Sequence, residues 1–283
     1  MRREKRSYFG FLIMKNKLYF EKIENESKGV RLFCFSYAGG GASVFRSWQN
    51  RLGDEISVYP AHYPGHEERI SEEPVWDMDV LVTNIYEEIH SRDMDKQPFF
   101  LFGHSLGSRV AYELALRFEE VGEENLLGII VSAGRAPNRK EDNPIYHLPE
   151  TEFFKELSKY NRTPPELFEN KALWAIFEPA LRADFTVAET YCDKKHRKLH
   201  VPILALRGTL DVEMTEEDLK EWQCSTPQNT ALMSKHRTPE TIRTGTRNAT
   251  APQRICSKTK GLVQRKPSIR SERWATMFRR MFC

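Results

Sequence analysis

Gly103-His104-Ser105-Leu106-Gly107 sets a serine between two glycines at the spacing G-x-S-x-G. The four residues before it, Phe99 to Phe102, form an apolar run, and Val110, Ala111, Leu114, Ala115 and Phe118 after it share one helical face. The pentapeptide therefore falls between a buried strand and a helix. So sharp a turn strains the serine backbone, small neighbours relieve the crowding, and the hydroxyl rises above the sheet edge beside the N–H groups that open the helix. A serine so placed is a nucleophile for acyl transfer; the alternative is an unreactive Gly-Ser turn.

Acyl transfer also needs a second oxyanion donor, a carboxylate and a base. Tyr37-Ala38-Gly39-Gly40-Gly41 follows the first clear strand, and its glycines let the backbone approach a ligand closely. The backbone N–H groups of Ala38 and Leu106 are accordingly the expected oxyanion donors, unless the glycines merely join strand to helix. Where a serine sits on a strand-to-helix elbow, the acid follows a later strand and precedes the histidine. Asp211 meets that order, in the loop after Val201–Leu206. Asp184 competes but has no strand before it, and a solvated loop aspartate is the third reading of Asp211.

The elements that must hold these groups alternate along the chain. Val30–Tyr37 reads as a buried strand, Phe45, Trp48 and Leu52 as a helix, and Ile56–Tyr59 as a second strand leading to Pro64-Gly65. Met78, Leu81, Val82, Ile85 and Ile89 mark an amphipathic helix; Leu126–Ser132 and Val201–Leu206 are further strands. Thr215 and Asp218 open a last helix with a capping-box pattern. Strands alternating with helices predict an α/β fold, a mainly parallel sheet with covering helices. Residues 138–198 break the rhythm with two helical stretches around Thr163-Pro164-Pro165, an insertion that would lie over the sheet as a lid.

The 283 residues suffice for one large α/β domain with such an insertion. Charge divides unevenly: residues 1–222 hold 30 Lys and Arg against 38 Asp and Glu, whereas 223–283 hold 13 against 2. The five cysteines form no CxxC pair, which argues against a disulfide framework and a metal site. The apolar stretch Phe9–Met14 is too short for a signal-peptide core, and no run reaches the length of a membrane span. A soluble cytoplasmic monomer is expected.

Taken together the motifs resemble the type II thioesterases that accompany nonribosomal peptide and polyketide synthases, proteins of the α/β-hydrolase fold. The resemblance runs from about Val30 to Trp222. It rests on Phe35-Ser36-Tyr37-Ala38-Gly39-Gly40, on Tyr63-Pro64-Gly65-His66-Glu67 with Arg69, on the serine pentapeptide, on Leu181-Arg182-Ala183-Asp184, and on Pro202-Ile203 leading to Asp211. The resemblance marks a core at 30–222, while rhythm and composition set off a lid at about 138–198, an extension at 1–29 and a basic, irregular tail at 223–283. It also implies hydrolysis of acyl, aminoacyl or peptidyl thioesters on the phosphopantetheine arm of peptidyl or acyl carrier proteins, an editing role in antibiotic synthesis. No cofactor is implied beyond the arm that the partner carries.

The same resemblance calls for a base after a last strand, some 25 residues past the acid, in a Gly-Gly-His context that this sequence lacks. Of the eight histidines, His62, His66, His90, His104, His147, His196 and His200 precede Asp211. His236 stands 25 residues after it, behind the short apolar run Ala231-Leu232-Met233, and is the candidate base. Against it stands a solvated histidine in a basic tail. Composition, charge sign and resemblance all change near Trp222, as a reading-frame shift would make them do. Three other readings stay open: a small-ester hydrolase, a carrier-binding module without turnover, and a tail that contacts nucleic acid.

Overall fold

The computed structural model describes residues 18–23, 29–158, 170–209, 211, 214–227 and 230–235. Six strands form one sheet: β1 Val30–Phe35, β2 Ile56–Pro60, β3 Phe99–His104, β4 Leu126–Ser132, β5 Ile203–Gly208 and β6 Thr230–Lys235. Their order is β2-β1-β3-β4-β5-β6, and every neighbouring pair is parallel. The helices are α1 Trp48–Leu52, α2 Met78–Ser91, α3 Leu106–Glu120, α4 Glu150–Leu157, α5 Lys171–Thr190 and α6 Glu216–Glu221.

Alternation within each strand accounts for the layers. In β1, Phe33 and Phe35 join one buried cluster while Val30, Leu32 and Cys34 join another; in β3, Phe99 and Leu101 part from Phe100 and Phe102 in the same way. A strand buried on both faces must be apolar throughout, which is why these runs read so clearly in the sequence. The apolar faces of α2 and α3 cover the first cluster, and α1 covers the second. Asp77 caps α2 by accepting from the Val80 N–H at 3.0 Å. The expected capping box is present on α6: the Asp218 N–H donates to Thr215 Oγ1 at 3.1 Å, and the Thr215 N–H donates to Asp218 Oδ2 at 2.8 Å.

Two features extend past the limits expected from the motifs. Phe20 is fully buried against Phe33, Phe35 and Tyr59, so the segment before Val30 contributes to the core. Both oxygens of the Glu88 carboxylate hold it in place by accepting the Tyr19 and Phe20 N–H groups. The sheet also continues beyond Trp222: Thr230–Lys235 pairs with β5 along its whole length. Ala231, Leu232 and Met233 are only half-buried there, so ladder hydrogen bonds rather than apolar burial define β6, the last strand among the described residues. His236 and everything after it lie outside the described residues.

The insertion is helical, as expected. Helices α4 and α5 lie between β4 and β5 and carry a small core of their own, with Phe153, Leu157 and Trp174 packed beside Ile145. Thr163-Pro164-Pro165 lies outside the described residues.

Candidate active site

The chain leaves β1 for β2 on one side, then crosses to β3 on the other side of β1. That reversal opens a crevice at the C-terminal ends of β1 and β3, where ligands bind in open parallel sheets. The glycine turn follows β1 and Ser105 follows β3, so the two sequence motifs meet at this crevice.

Ser105 has φ 53° and ψ −113°, a backbone conformation that non-glycine residues rarely adopt. Three contacts hold it. The Ser105 N–H donates to the Ser132 carbonyl at 2.8 Å, the Gly107 N–H to the Ser36 carbonyl at 3.1 Å, and the Ser108 N–H to the Ser105 carbonyl at 2.9 Å. Close packing explains both glycines: a Cβ on Gly103 would overlap the Gly107 backbone, and one on Gly107 would overlap the Phe35 carbonyl. Leu106 opens α3, so its N–H has no acceptor within that helix. His104 is buried, its Nδ1 3.1 Å from the Ser132 hydroxyl, which agrees with a packing residue beside the elbow.

In the glycine turn each peptide has a fixed partner. The Gly40 N–H donates to the Tyr37 carbonyl at 2.8 Å, and the Ser36 hydroxyl donates to the Gly40 carbonyl at 2.6 Å. The Gly39 N–H donates to Asp184 Oδ2 at 2.7 Å. That same oxygen lies 3.0 Å from Nε2 of His66, whose Nδ1 lies 3.0 Å from the Pro64 carbonyl. A carbonyl and a carboxylate both accept, so this pair of partners favours the ring with hydrogen on both nitrogens. Burial opposes that charge, but the Asp184 carboxylate and its hydrogen bond outweigh it and hold the pKa above the ordinary imidazole value. Asp184 is thus occupied at the crevice wall. The His66–Asp184 contact was not legible in the sequence, which offered only the two motifs, 118 residues apart.

Asp211 follows β5, its N–H donating to the Gly208 carbonyl at 3.1 Å. Because the sheet is parallel, its loop lies at the same edge as Ser105. Lys235 pairs with Gly208, so β6 ends beside the strand that leads to Asp211. The next residue in sequence is His236. Among the described residues one group has metal-ligand spacing, His62 with Glu67 and Glu68, but the Glu67 carboxylate already accepts the Ser43 N–H at 3.2 Å.

A second carboxylate in the inserted helix behaves differently. Burial pushes the Glu189 carboxyl up to about 7, although its Oε2 accepts the Ile145 and Tyr146 N–H groups, each at 2.8 Å. The folded chain therefore binds this proton more tightly than the unfolded chain does. Its contribution to stability is full below pH 4.5 and is lost as pH rises through 7. Glu189→Gln keeps the acceptor oxygen without the charge. Allowing for solvent screening, it should stabilise the protein by about 1–2 kcal/mol at pH 8 and change little at pH 5, as read by denaturant unfolding at the two pH values.

Sheet order, serine elbow and neighbouring glycine turn define an α/β hydrolase of the serine type. The profile of the thioesterase domain family matches residues 30–259, and the chain belongs to that family of thioester hydrolases. It is 34% identical over 214 residues to the gramicidin S biosynthesis protein GrsT of Aneurinibacillus migulanus, covering 75% of this chain and 83% of that protein. Among solved structures it is similar to the type II thioesterase BorB from the borrelidin cluster, at 33% identity and TM-score 0.64, covering 73% of this chain and 83% of that one. The type II thioesterase YbtT of the yersiniabactin pathway aligns at 28% identity and TM-score 0.70, over 79% and 90% of the two chains. The family match passes Trp222, as the sheet does.

Proposed function

We propose that the chain hydrolyses acyl, aminoacyl or peptidyl groups from the phosphopantetheine arm of carrier proteins, clearing stalled intermediates from a peptide-synthesising assembly line. The observation that carries this reading is Ser105, held at φ 53° at the sheet's switch point beside the first N–H of α3. In the proposed reaction Ser105 Oγ attacks the thioester carbonyl while the Ala38 and Leu106 N–H groups receive the oxyanion. The tetrahedral adduct expels the thiolate of the arm and leaves an ester on Ser105. His236 takes the serine proton, passes it to the leaving sulfur and then activates the water that cleaves the ester; Asp211 orients the imidazole. The order of the residues supports pairing His236 with Asp211: β6 pairs with β5, the strand before Asp211, up to Lys235, and His236 is the next residue in sequence.

The relatives' pathways support a carrier protein as partner and a cytoplasmic setting, and the chemistry requires no cofactor from this chain. Among the described residues no helix is long and apolar enough to cross a membrane. A thioester expels its leaving group readily, so selectivity rests on fitting arm and acyl chain beneath the inserted helices. Turnover of an acyl-loaded carrier protein should exceed that of the matching nitrophenyl ester by about 10-fold or more in kcat/KM. Equal rates would favour a small-ester hydrolase, and no turnover of either would favour a binding module.

A further inference from the structure

Ala38 lies between two peptide planes, and each is held by a different group. The Tyr37 carbonyl shares its plane with the Ala38 N–H, and the Gly40 N–H fixes that carbonyl at 2.8 Å. The next plane ends in the Gly39 N–H, which Asp184 fixes at 2.7 Å. Gly39 has φ 77°, so steric restriction alone does not hold this plane in one orientation. Asp184 belongs to neither motif of the crevice; it stands on α5, inside the insertion. One turn earlier Leu181 lies against Gly39, where a Cβ would come within 2.5 Å of Leu181 Cδ2, and Ala180 lies against Gly65. His66 holds the Asp184 carboxylate from the far side and is itself fixed by the Pro64 carbonyl.

We propose that Asp184 is a positioning residue for the oxyanion turn: from the inserted helix α5 it pins the Gly39 N–H, with His66 as its brace, and so aims the neighbouring Ala38 N–H at the reacting carbonyl. The inference rests on the reading of Ser105 as nucleophile and Ala38 as donor. It adds that the insertion sets the geometry of the oxyanion site. Without Asp184 the Ala38–Gly39 peptide loses the bond that fixes its N–H, the turn keeps the bonds at its two ends, and the buried His66 ring loses its Nε2 partner. Substrate binding in the ground state makes little use of the oxyanion donor, so the loss falls on the transition state.

The test uses the full chain and three ligands of one acyl length. These are an acyl thioester of N-acetylcysteamine, a trifluoromethyl ketone that forms a tetrahedral oxyanion adduct with the serine, and a plain thioether that does not. Asp184→Ala should lower kcat by about 30- to 100-fold and weaken the ketone in proportion, while thioether affinity stays within about threefold. Asp184→Asn, whose amide oxygen still accepts the Gly39 N–H, should recover about tenfold of the lost kcat. If the alanine variant does not fold, the asparagine variant carries the test, with ketone affinity reduced about three- to tenfold and thioether affinity unchanged. The proposal is overturned if Asp184→Ala keeps kcat within threefold of wild type, if ketone and thioether weaken equally, or if the asparagine variant binds the ketone as wild type does. A wild-type chain that binds the ketone no better than Ser105→Ala overturns the nucleophile reading itself, which separates the two failures.

Discussion

Replacing Ser105 by alanine should lower thioester hydrolysis by about 10⁴-fold or more while leaving the unfolding temperature within a degree or two of wild type. The two effects separate because the hydroxyl does chemistry while the backbone bears the strain. Ser105 sits at φ 53° and ψ −113°, and alanine suffers there as serine does. Glycine does not. Ser105→Gly should therefore be equally inactive but more stable than Ser105→Ala by about 1 kcal/mol, read by denaturant unfolding of the two variants side by side. Equal stabilities would mean that the elbow stores no strain.

Gly107→Ala should have the second-largest effect, this time on stability and activity together. A Cβ there would overlap the Phe35 carbonyl oxygen and lie 2.9 Å from Phe35 Cβ, and backbone cannot give way as a side-chain end can. Relief would require α3 to move off β1, breaking the bond from the Gly107 N–H to the Ser36 carbonyl. A loss of about 3 kcal/mol is expected, visible as a drop of roughly 6–12 °C in unfolding temperature. Shifting Leu106 and Ser105 relative to the glycine turn should also cut kcat by about 100-fold in the fraction that folds. Gly122→Ala is the control. It also has positive φ, 75°, but a Cβ there meets nothing within 4 Å, so it should cost only about 1 kcal/mol and leave kcat unchanged.

How much of this was legible in the sequence depended on where each signal lay. β1, β3 and β4 were plain because burial on both faces demands unbroken apolar runs, and the elbow was plain because motif and flanking elements agreed. Strand ends were less so: β3 runs on through Gly103-His104 and β5 through Arg207-Gly208, residues with no apolar signature. Phe20 escaped because Leu18-Tyr19-Phe20 is a run of three, too short to carry a period. β6 escaped for a related reason, since its three apolar residues are half-buried and pairing with β5 defines the strand. Asp184 was weighed as a rival acid and His66 as one of eight histidines, but nothing in the sequence joined the two. Their contact joins residues far apart in the chain, and no local pattern encodes that. The expected core limit at Trp222 came from composition and from where the motifs stop, and neither registers a half-buried strand such as β6.

Mass spectrometry of the acyl-enzyme tests the central claim most directly. The protein is mixed with an acyl thioester, quenched within a turnover, and digested so that the peptide bearing Ser105 is resolved from those bearing Cys34, Cys192, Cys224, Cys256 and Cys283. The account predicts one added acyl group on Ser105, formed and lost at rates consistent with kcat and absent from Ser105→Ala. Acyl transfer to another residue, or thioester hydrolysis that survives in Ser105→Ala, would contradict it.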